Sequence, residues 1–391
     1  MAKSHVRYYP VGNGSMSLIK LDDSRGTTIL VDMCISNDAD DKENKLVYDS
    51  AKDLRSHLKR ESDGRLHLNL LVHSHGDDDH VRGLQNHFWL GDPADYESKK
   101  DEPEKIIIDE VWSSTRYRKY DTQSFPLGDD AKALSKEIRR RVEKRSETAG
   151  NYVRILGDDL QDDDGDEVPA SVRYPCGASV DTVAGKQFND FSAMILGPLG
   201  KEENEDDKTY NDKNRGSLIV RFNRTVKDFF GNERMCSLVF GDDTEVRTWE
   251  RLYDDQKRDR LEYDVLLAPH HCSWHSLSWG SAEDKNAKVS VKAKGSLSNA
   301  NAGAYIILSC KSNDDEGEKS KKVGRARARP VYEGIVGKAQ VICTGEHAID
   351  GKLAPIVFEL TVHGISKQNN APISPYTAAS AATIGEPLPH G

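Results

Sequence analysis

The chain of 391 residues is 36% hydrophobic and 31% charged, which is typical of a globular protein with room for one large domain or two ordinary ones. Its formal net charge of −10 at pH 7 argues against a protein that coats nucleic acid by bulk attraction, although a local basic groove is compatible with that charge. No apolar run approaches the roughly 20 residues that a membrane span needs, and the mean hydropathy is −0.69.

The six cysteines lie far apart and form no Cys-x-x-Cys pair. That spacing indicates reduced, mostly buried thiols rather than a disulfide framework or a thiolate zinc site. The first nine residues lack the apolar core of a secretory signal. We therefore expect a cytoplasmic protein that does not enter a membrane.

Predicted strands and helices follow each other along the chain. Apolar runs and period-two alternation predict strands at 15–19, 27–32, 66–73, 105–112, 191–198, 217–222, 236–240, 304–309, 339–344 and 355–362, and a further strand that begins at Tyr263. Apolar residues at helical spacing predict helices at 46–60, 80–90, 128–148 and 245–258. We expect a layered α/β architecture with sheets inside and helices outside.

Charged and polar segments interrupt these elements. Acidic stretches at 36–45, 91–104, 158–167 and 201–213 would suit docking of protein partners, but they identify none. The helix predicted at 128–148 carries Arg139, Arg140 and Arg141; we interpret it as a solvated insertion helix, with a nucleic-acid face as the alternative. Residues 364–391 are rich in Ala, Ser, Pro and Asn and indicate a flexible tail.

The most informative stretch is 68–84, where a buried-type strand ends in three histidines and three aspartates within eight residues. Metal ligation needs imidazoles and carboxylates that converge on one point. Strand alternation lets His75 and Asp77 face the same way, while Asp79 and His80 follow where the chain turns and would reach a second ion. The alternative, a solvated acidic loop, does not explain histidines that bracket the acids.

Polar residues also follow two later strands. The strand at 236–240 ends in Gly241-Asp242-Asp243-Thr244, and the strand from Tyr263 ends in His270-His271-Cys272. Ligands at the ends of neighbouring strands converge at one edge of a sheet sandwich. The sequence therefore predicts one metal site built from three strand ends.

These motifs resemble the metallo-β-lactamase superfamily, whose signature is His-x-His-x-Asp-His after a strand. Here the matching segment has Asp77 in place of the second histidine, and that variant is similar to the branch related to the soluble hydrolase domain of the DNA-uptake protein ComEC. The matching residues are His75-Gly76-Asp77-Asp78-Asp79-His80, Val81-Arg82-Gly83-Leu84, Val11-Gly12-Asn13-Gly14-Ser15, Ile29-Leu30-Val31-Asp32, Leu238-Val239-Phe240-Gly241-Asp242 and Ala268-Pro269-His270-His271-Cys272-Ser273. The resemblance covers about residues 6–362.

The resemblance implies a four-layer αββα metallo-β-lactamase sandwich with acidic loop insertions. A hydrolase domain would span 1–363 with an insertion at about 113–190, followed by the tail at 364–391. It further implies that His75 and Asp77 bind a first ion, that Asp79 and His80 bind a second, that Asp242 bridges both and that His270 completes the second site. No histidine lies between His87 and His270, so a third histidine of the first site is missing, and Asn214 occupies roughly its place. Two Zn²⁺ ions are expected, with Mn²⁺ as an alternative because oxygen ligands favour a harder ion.

The activity implied by the resemblance is metal-dependent hydrolysis, with a phosphodiesterase or nuclease acting on nucleic acid or nucleotides as the first expectation. Asp79 would orient the activated water. His271 and His275 would contact substrate, unless they are ordinary loop histidines.

A basic segment at 319–330 bears on the substrate. If extended, Arg325, Arg327 and Arg329 would point the same way toward successive phosphates; the alternative is that they balance the acids just before them. Hydrolysis of an ester, thioester or lactam on the same fold, and a degenerate metal-binding protein in a larger assembly, remain alternative functions. The sequence does not define the oligomeric state.

Overall fold

The computed structural model describes residues 3–36, 47–97, 103–115, 127–158, 168–206, 212–255, 258–312 and 319–369. The helices are α1 (Ser50–His57), α2 (Asp78–Val81), α3 (Leu84–His87), α4 (Asp129–Lys144), α5 (Val246–Asp254), α6 (Val291–Leu297) and α7 (Lys319–Val336). The earlier strands are β1 (His5–Tyr8), β2 (Ser17–Lys20), β3 (Thr28–Val31), β4 (Met33–Cys34), β5 (Lys59–Arg60), β6 (Leu66–His73), β7 (Phe88–Trp89), β8 (Ile106–Ser114), β9 (Tyr152–Leu156), β10 (Arg173–Tyr174) and β11 (Ser179–Val180). The later strands are β12 (Thr182–Val183), β13 (Lys186–Gln187), β14 (Phe191–Gly197), β15 (Ile219–Lys227), β16 (Glu233–Phe240), β17 (Tyr263–Leu267), β18 (Ala300–Leu308), β19 (Val341–Cys343), β20 (Ala348–Ile349), β21 (Lys352–Leu353), β22 (Ile356–Thr361) and β23 (Gly364–Lys367).

Two mixed sheets form the centre of the molecule. The first runs in the order β10-β9-β8-β6-β3-β2-β1-β22-β23, and the second in the order β11-β14-β15-β16-β17-β18-β19. In the first sheet β3, β6, β8 and β9 are parallel neighbours, and in the second β16, β17, β18 and β19 are parallel. Because parallel strands end at the same edge, the loops after β6, β16 and β17 are placed to meet there.

Three hydrophobic clusters separate the layers. The inner cluster joins the two sheets and includes Val72 from β6 and Phe240 from β16. A second cluster packs α1 and α4 onto the first sheet, with Leu54 and Ile138 among its members. A third packs α5, α6 and α7 onto the second sheet and contains Trp249. The predicted four-layer αββα sandwich is therefore confirmed, with sheets inside and helices outside.

Strand alternation explains how one element serves two layers. In β6, Leu70 and Val72 belong to the inner cluster, whereas Leu71 belongs to the cluster beneath the helices. All three side chains are at most 1% exposed. Full burial of each such side chain stabilises the fold by roughly 1.5–3 kcal/mol, so β6 holds its register firmly and fixes where the following polar turn begins.

Several predicted elements differ from the observed ones. The helix predicted at 80–90 is two single turns, α2 and α3, separated at Gly83, which has a φ of 90°. The strands β1 and β9 were not predicted, and the basic segment at 319–330 is not extended but lies within α7. Basic and alanine residues favour helix, and this preference decides the conformation there.

The helix α4 is amphipathic rather than fully solvated. Arg141 is 1% exposed, and its Nε donates to Oε1 of the buried Glu137 at 2.7 Å. Arg141 also donates to the carbonyl oxygen of Ile108 in β8. The interpretation of this helix as solvated is therefore wrong, because α4 packs on the first sheet. The following strands β9 and β10 extend that sheet, and the insertion at about 113–190 stays a prediction.

The C-terminal strand shifts one predicted boundary. Residues 364–367, the start of the predicted tail at 364–391, form β23 and pair with β22, so the folded part extends past 363. Residues 370–391 lie outside the described residues. Most of the acidic loop predictions also fall outside them, at 37–46, 98–102, 159–167 and 207–211. No helix in the described part of the chain is long and apolar enough to cross a membrane.

Candidate metal centre

The loops after three strands meet at one edge of the sandwich. The segment 74–80 follows β6, Asp242 and Asp243 follow β16, and a 3₁₀ turn at Pro269–Cys272 follows β17. The strands β16 and β17 end level with each other, since Phe240 pairs with Leu267. A hydrogen bond from the backbone N of Leu218 to the carbonyl oxygen of Ser74, at 3.1 Å, ties the two sheets together at this edge.

Among the described residues, three groups of side chains that could hold a metal ion occupy this edge. One of them, Asp32, His80 and Asp242, lies on the Nδ1 side of His80, and the other two adjoin each other. The first cluster consists of His75, Asp77 and Asp243, and the second cluster of Asp79, His80 and His271. Within each cluster, one ligand atom per residue lies within 4.8 Å of the others. Oδ1 of Asp243 is 3.3 Å from Nε2 of His80 and 3.3 Å from Nε2 of His271. Asp243 therefore connects the two clusters.

Each histidine of the two clusters is supported through Nδ1. Nδ1 of His80 donates to Oδ2 of Asp32 at 3.1 Å and lies 3.0 Å from Oδ1 of Asp242. Nδ1 of His271 donates to the carbonyl oxygen of Ser309 at 3.0 Å. Such bonds fix the ring and leave the Nε2 lone pair for a metal ion, which is the usual arrangement of a ligating histidine.

His75 follows the same pattern, because its Nδ1 is 3.2 Å from Oγ of Ser217 and its Nε2 lies 3.4 Å from Oδ1 of Asp77. All three imidazoles thus present Nε2 to the carboxylates. His270 differs from them, since its ring is 25% exposed and its Nε2 lies 3.8 Å from Oδ2 of Asp243.

Several of the atoms that face the clusters are buried and lack an ordinary partner. Among the described residues, Nε2 of His80, Nε2 of His271 and Oδ1 of Asp243 have no hydrogen-bond partner. Buried polar atoms are normally satisfied, and leaving them otherwise costs about 1–3 kcal/mol each. Imidazole nitrogens and carboxylate oxygens are the ligands that Zn²⁺ and Mn²⁺ take. The residues present therefore fit divalent cations.

The carboxylates remain ionised despite their burial. Burial opposes the charge on Asp79, yet the contact with His271 and the nearby His80 lower the pKa of that carboxyl to about 2. Burial likewise opposes ionisation of Asp243, but His80 and His271 hold its pKa well below the usual range. Burial disfavours the charged form of His80, and the carboxylates of Asp242 and Asp243 outweigh it and raise its pKa. The centre thus keeps the anionic oxygens that a cation needs.

Left-handed backbone conformations concentrate at this centre. Asp32, Asp242, His270, His271 and Cys272 have φ values of 54°, 41°, 50°, 52° and 64°. Such conformations cost residues other than glycine about 1–2 kcal/mol each and persist where the surroundings enforce them, often at functional sites. Here the successive left-handed residues turn the chain back after β17 so that His271 faces the clusters.

Two ligand assignments implied by the resemblance differ from the observed placement. Asp242, expected to bridge both ions, instead faces Nδ1 of His80 from behind, and Asp243 lies between the clusters. His270, expected to complete the second site, is replaced there by His271. Each difference is a shift of one residue within an Asp-Asp or His-His doublet, and the assignment of Asp242 and His270 as metal ligands stays a prediction. The structure does bring His75, Asp77, Asp79 and His80 together as expected.

Asn214 lies beside the first cluster, on a 3₁₀ turn at Lys213–Gly216. Its Nδ2 donates to Oε1 of Glu245 at 2.9 Å, and its Oδ1 is buried without a hydrogen-bond partner among the described residues. The preceding Lys213 pairs with Asp77. Sequence reasoning assigned no role to Lys213, Asp243, Asp32 or Ser217. The Asp-Asp doublet was a signal for Asp243, and the strand end at Ile29-Leu30-Val31-Asp32 was a signal for Asp32.

A cavity of about 400 Å³ opens over the two clusters. Besides the acids, its walls include Lys213, Trp274, His275 and Arg325. His275, expected to contact substrate, therefore lies where a bound molecule would reach it. The cavity combines anionic metal-ligating groups with cationic and aromatic side chains.

The three arginines expected to contact phosphates behave differently from one another. Arg325 lines the cavity, and its Nη1 donates to Oδ1 of Asn13 at 2.8 Å. Arg327 stacks over the ring of Trp274 at 4.1 Å and donates to three backbone carbonyls. Arg329 pairs with Glu333 and Glu346 on the surface. The prediction that the three arginines point the same way toward successive phosphates is therefore wrong, because helical geometry turns the three side chains in different directions.

Comparison with known proteins adds little to this description. No protein-family model matches the chain, and no curated protein matches it either. Among solved structures the chain is similar to the metallo-β-lactamase MIM-1 of Novosphingobium pentaromativorans, with 12% identity, coverage of 75% of this chain and 86% of that chain, and a TM-score of 0.26. A likeness this distant carries no argument, so the architecture rests on strand order and core packing, and the metal centre on the distances between its side chains.

Proposed function

We propose that this protein is a metal-dependent hydrolase that cleaves phosphodiesters of nucleotides or nucleic acid. The observation that carries the proposal is the set of three imidazoles, each supported at Nδ1, whose Nε2 atoms face carboxylates in two clusters connected by Asp243. Purely structural histidines have no need for a common orientation toward ionised carboxylates that line one cavity.

The first ion would be held by His75, Asp77 and Asp243, and the second by Asp79, His80 and His271, with Asp243 available to both. When bound, two divalent cations supply Lewis acidity and a water whose pKa is lowered toward about 7. Asp79 faces the cavity as an ionised carboxylate, and it would orient that water and hold its proton.

The cations on the cavity wall support an anionic substrate. Lys213 and Arg325 both line the cavity above the clusters, and positively charged groups placed near developing charge stabilise phosphoryl transfer. An uncharged ester, thioester or lactam would leave the buried guanidinium of Arg325 with the neutral Asn13 as its hydrogen-bond partner and with no anion from the substrate. This argument favours phosphodiesters over the other substrates of a metallohydrolase.

The test combines metal analysis with a substrate panel. We expect about two ions of Zn²⁺ or Mn²⁺ per chain, as a two-metal site requires, and hydrolysis of bis(p-nitrophenyl) phosphate, cyclic nucleotides, RNA or single-stranded DNA that a chelator abolishes. Asp79→Ala should lose that hydrolysis, whereas Asp78→Ala should retain it because the exposed Asp78 belongs to neither cluster. Wild-type protein that binds fewer than one ion, or that cleaves only esters or lactams, would refute the proposal.

A further inference from the structure

Arg325 is a buried arginine whose guanidinium, among the described residues, is hydrogen-bonded to a neutral side chain rather than to a carboxylate. Arg325 is 6% exposed, and no carboxylate of the described residues forms an ion pair with it. By contrast, the buried Arg7, Arg141, Arg215 and Arg224 each pair with an aspartate or glutamate. A buried charge is costly unless it is paired and hydrogen-bonded. Arg325 therefore differs from these four buried arginines.

The guanidinium of Arg325 is partly satisfied by a neutral group. Its Nη1 donates to Oδ1 of Asn13, which also accepts from the backbone N of Lys311 at 3.0 Å. Its Nε is buried and has no hydrogen-bond partner within the described residues. Because Arg325 lines the same cavity as Asp79 and Asp243, an anionic ligand in that cavity would provide the missing partner.

We infer that Arg325 binds a phosphate group of the ligand that occupies this cavity. A guanidinium presents parallel N–H groups that match two phosphate oxygens, and it is weakly hydrated enough to act from a buried wall. This inference rests on the proposed function in taking the cavity as the substrate site. It goes further because it names a residue outside the two clusters, Arg325, that would contact the substrate directly.

The inference also limits the size of the ligand. Arg327 and Arg329 make internal contacts, so of the three arginines on α7 one guanidinium reaches the cavity. A cavity of about 400 Å³ is of the size that small molecules occupy. One phosphate of a mononucleotide-sized molecule fits this arrangement, whereas a nucleic-acid strand would need several cations in a row.

The first experiment measures binding of inorganic phosphate to the metal-loaded protein by titration calorimetry. Removing a hydrogen bond between charged groups corresponds to a loss of about tenfold to a hundredfold in affinity, and we expect that loss in Arg325→Gln. Arg329→Gln is the matched control, from the same helix and with the same change of charge, and it should bind phosphate as the wild type does.

A second variant avoids removing a buried side chain. Asn13→Asp keeps the size of the residue and places a carboxylate where Oδ1 now lies 2.8 Å from Nη1 of Arg325. If Arg325 binds phosphate, this internal counter-charge should weaken phosphate binding at least about tenfold while the unfolding temperature stays level or rises. Unchanged phosphate affinity in Asn13→Asp, or in a folded Arg325→Gln, overturns the inference.

Two further measurements, of acetate binding and of DNA binding, test whether the ligand is a single phosphate group. Phosphate binding requires no turnover, so absence of hydrolysis would refute the proposed function and leave this test intact. If Asn13→Asp lowers the affinity for acetate by the same factor as the affinity for phosphate, the assignment of the ligand group to phosphate is overturned. A short single-stranded DNA should bind no more tightly than a mononucleotide, and affinity that rises steeply with strand length would overturn the single-phosphate ligand.

Discussion

Replacing either aspartate of the Asp242-Asp243 doublet by asparagine should have very different effects on metal binding. Both changes remove one negative charge from the same turn after β16, so each variant controls for the general electrostatics of the other. Asp243 lies 3.3 Å from Nε2 of two histidines, on the side that faces the cavity. Asp242 lies 3.0 Å from Nδ1 of His80, on the opposite side of the ring.

The structure sets the expected size of each effect. Loss of a residue that only orients a ligating histidine weakens metal binding by about 10–100-fold, or about 1.4–2.8 kcal/mol. Asp242→Asn should fall at the lower end, because Asp32 still accepts the proton of His80 Nδ1. Asp243→Asn removes a carboxylate that both clusters share, so we expect a loss of more than about 100-fold and a stoichiometry that falls by at least one ion.

The assay is metal content after dialysis against a buffer that fixes the free Zn²⁺ concentration, with affinity measured by competition against a chromophoric chelator. Unfolding temperatures without metal show whether either variant is misfolded. If Asp242→Asn loses more metal than Asp243→Asn, Asp242 is the bridging ligand, and the assignment of Asp243 to both clusters is refuted.

Three other predictions concern stability and the support of the site. Burial lowers the pKa of His57 from its usual 6.5 to about 3, so below pH 6.5 the unfolded chain takes up a proton that the folded protein does not. The free energy of unfolding should therefore fall by about 2 kcal/mol between pH 6.5 and pH 5. Urea titrations of His57→Gln should show a smaller change over the same pH range. Glu137→Gln leaves a buried guanidinium unpaired and should cost about 3–5 kcal/mol in urea unfolding; a loss below about 1 kcal/mol would contradict that account. Gly14→Ala places a methyl group 2.9 Å from the carbonyl oxygen of Asp79 and should lower metal content, whereas Gly334→Ala, where an added methyl meets nothing within 4 Å, should not.

The architecture and half of the metal centre could be predicted from the sequence because they depend on short-range patterns. The strand β6 has a continuous apolar run, and its side chains pack on both faces. The ligands His75, Asp77, Asp79 and His80 follow directly within a few residues, so an error in the strand end would not separate them. Local spacing therefore determines this part of the site.

The charge pairs in the interior could not be predicted in the same way. Arg141 is buried because it meets Glu137 on its own helix and the carbonyl oxygen of Ile108 on a strand 33 residues earlier. In the sequence, Arg141 is one of three adjacent arginines and gives no sign of which one is inside. The partner of a buried charge is set by tertiary packing, and composition indicates only that charges are present.

The two ligand doublets show where sequence reasoning reaches its limit at this site. Extended alternation would allow either Asp242 or Asp243, and either His270 or His271, to face the clusters. The choice is made by left-handed backbone at Asp242, His270 and His271. Aspartate and histidine adopt this conformation more often than most residues do, but still at a small minority of positions. Residue type therefore does not indicate which member of each doublet faces the clusters, and the packed ends of β16 and β17 decide it. The same strained turns place the second residue of each doublet, Asp243 and His271, in the two clusters that line the cavity.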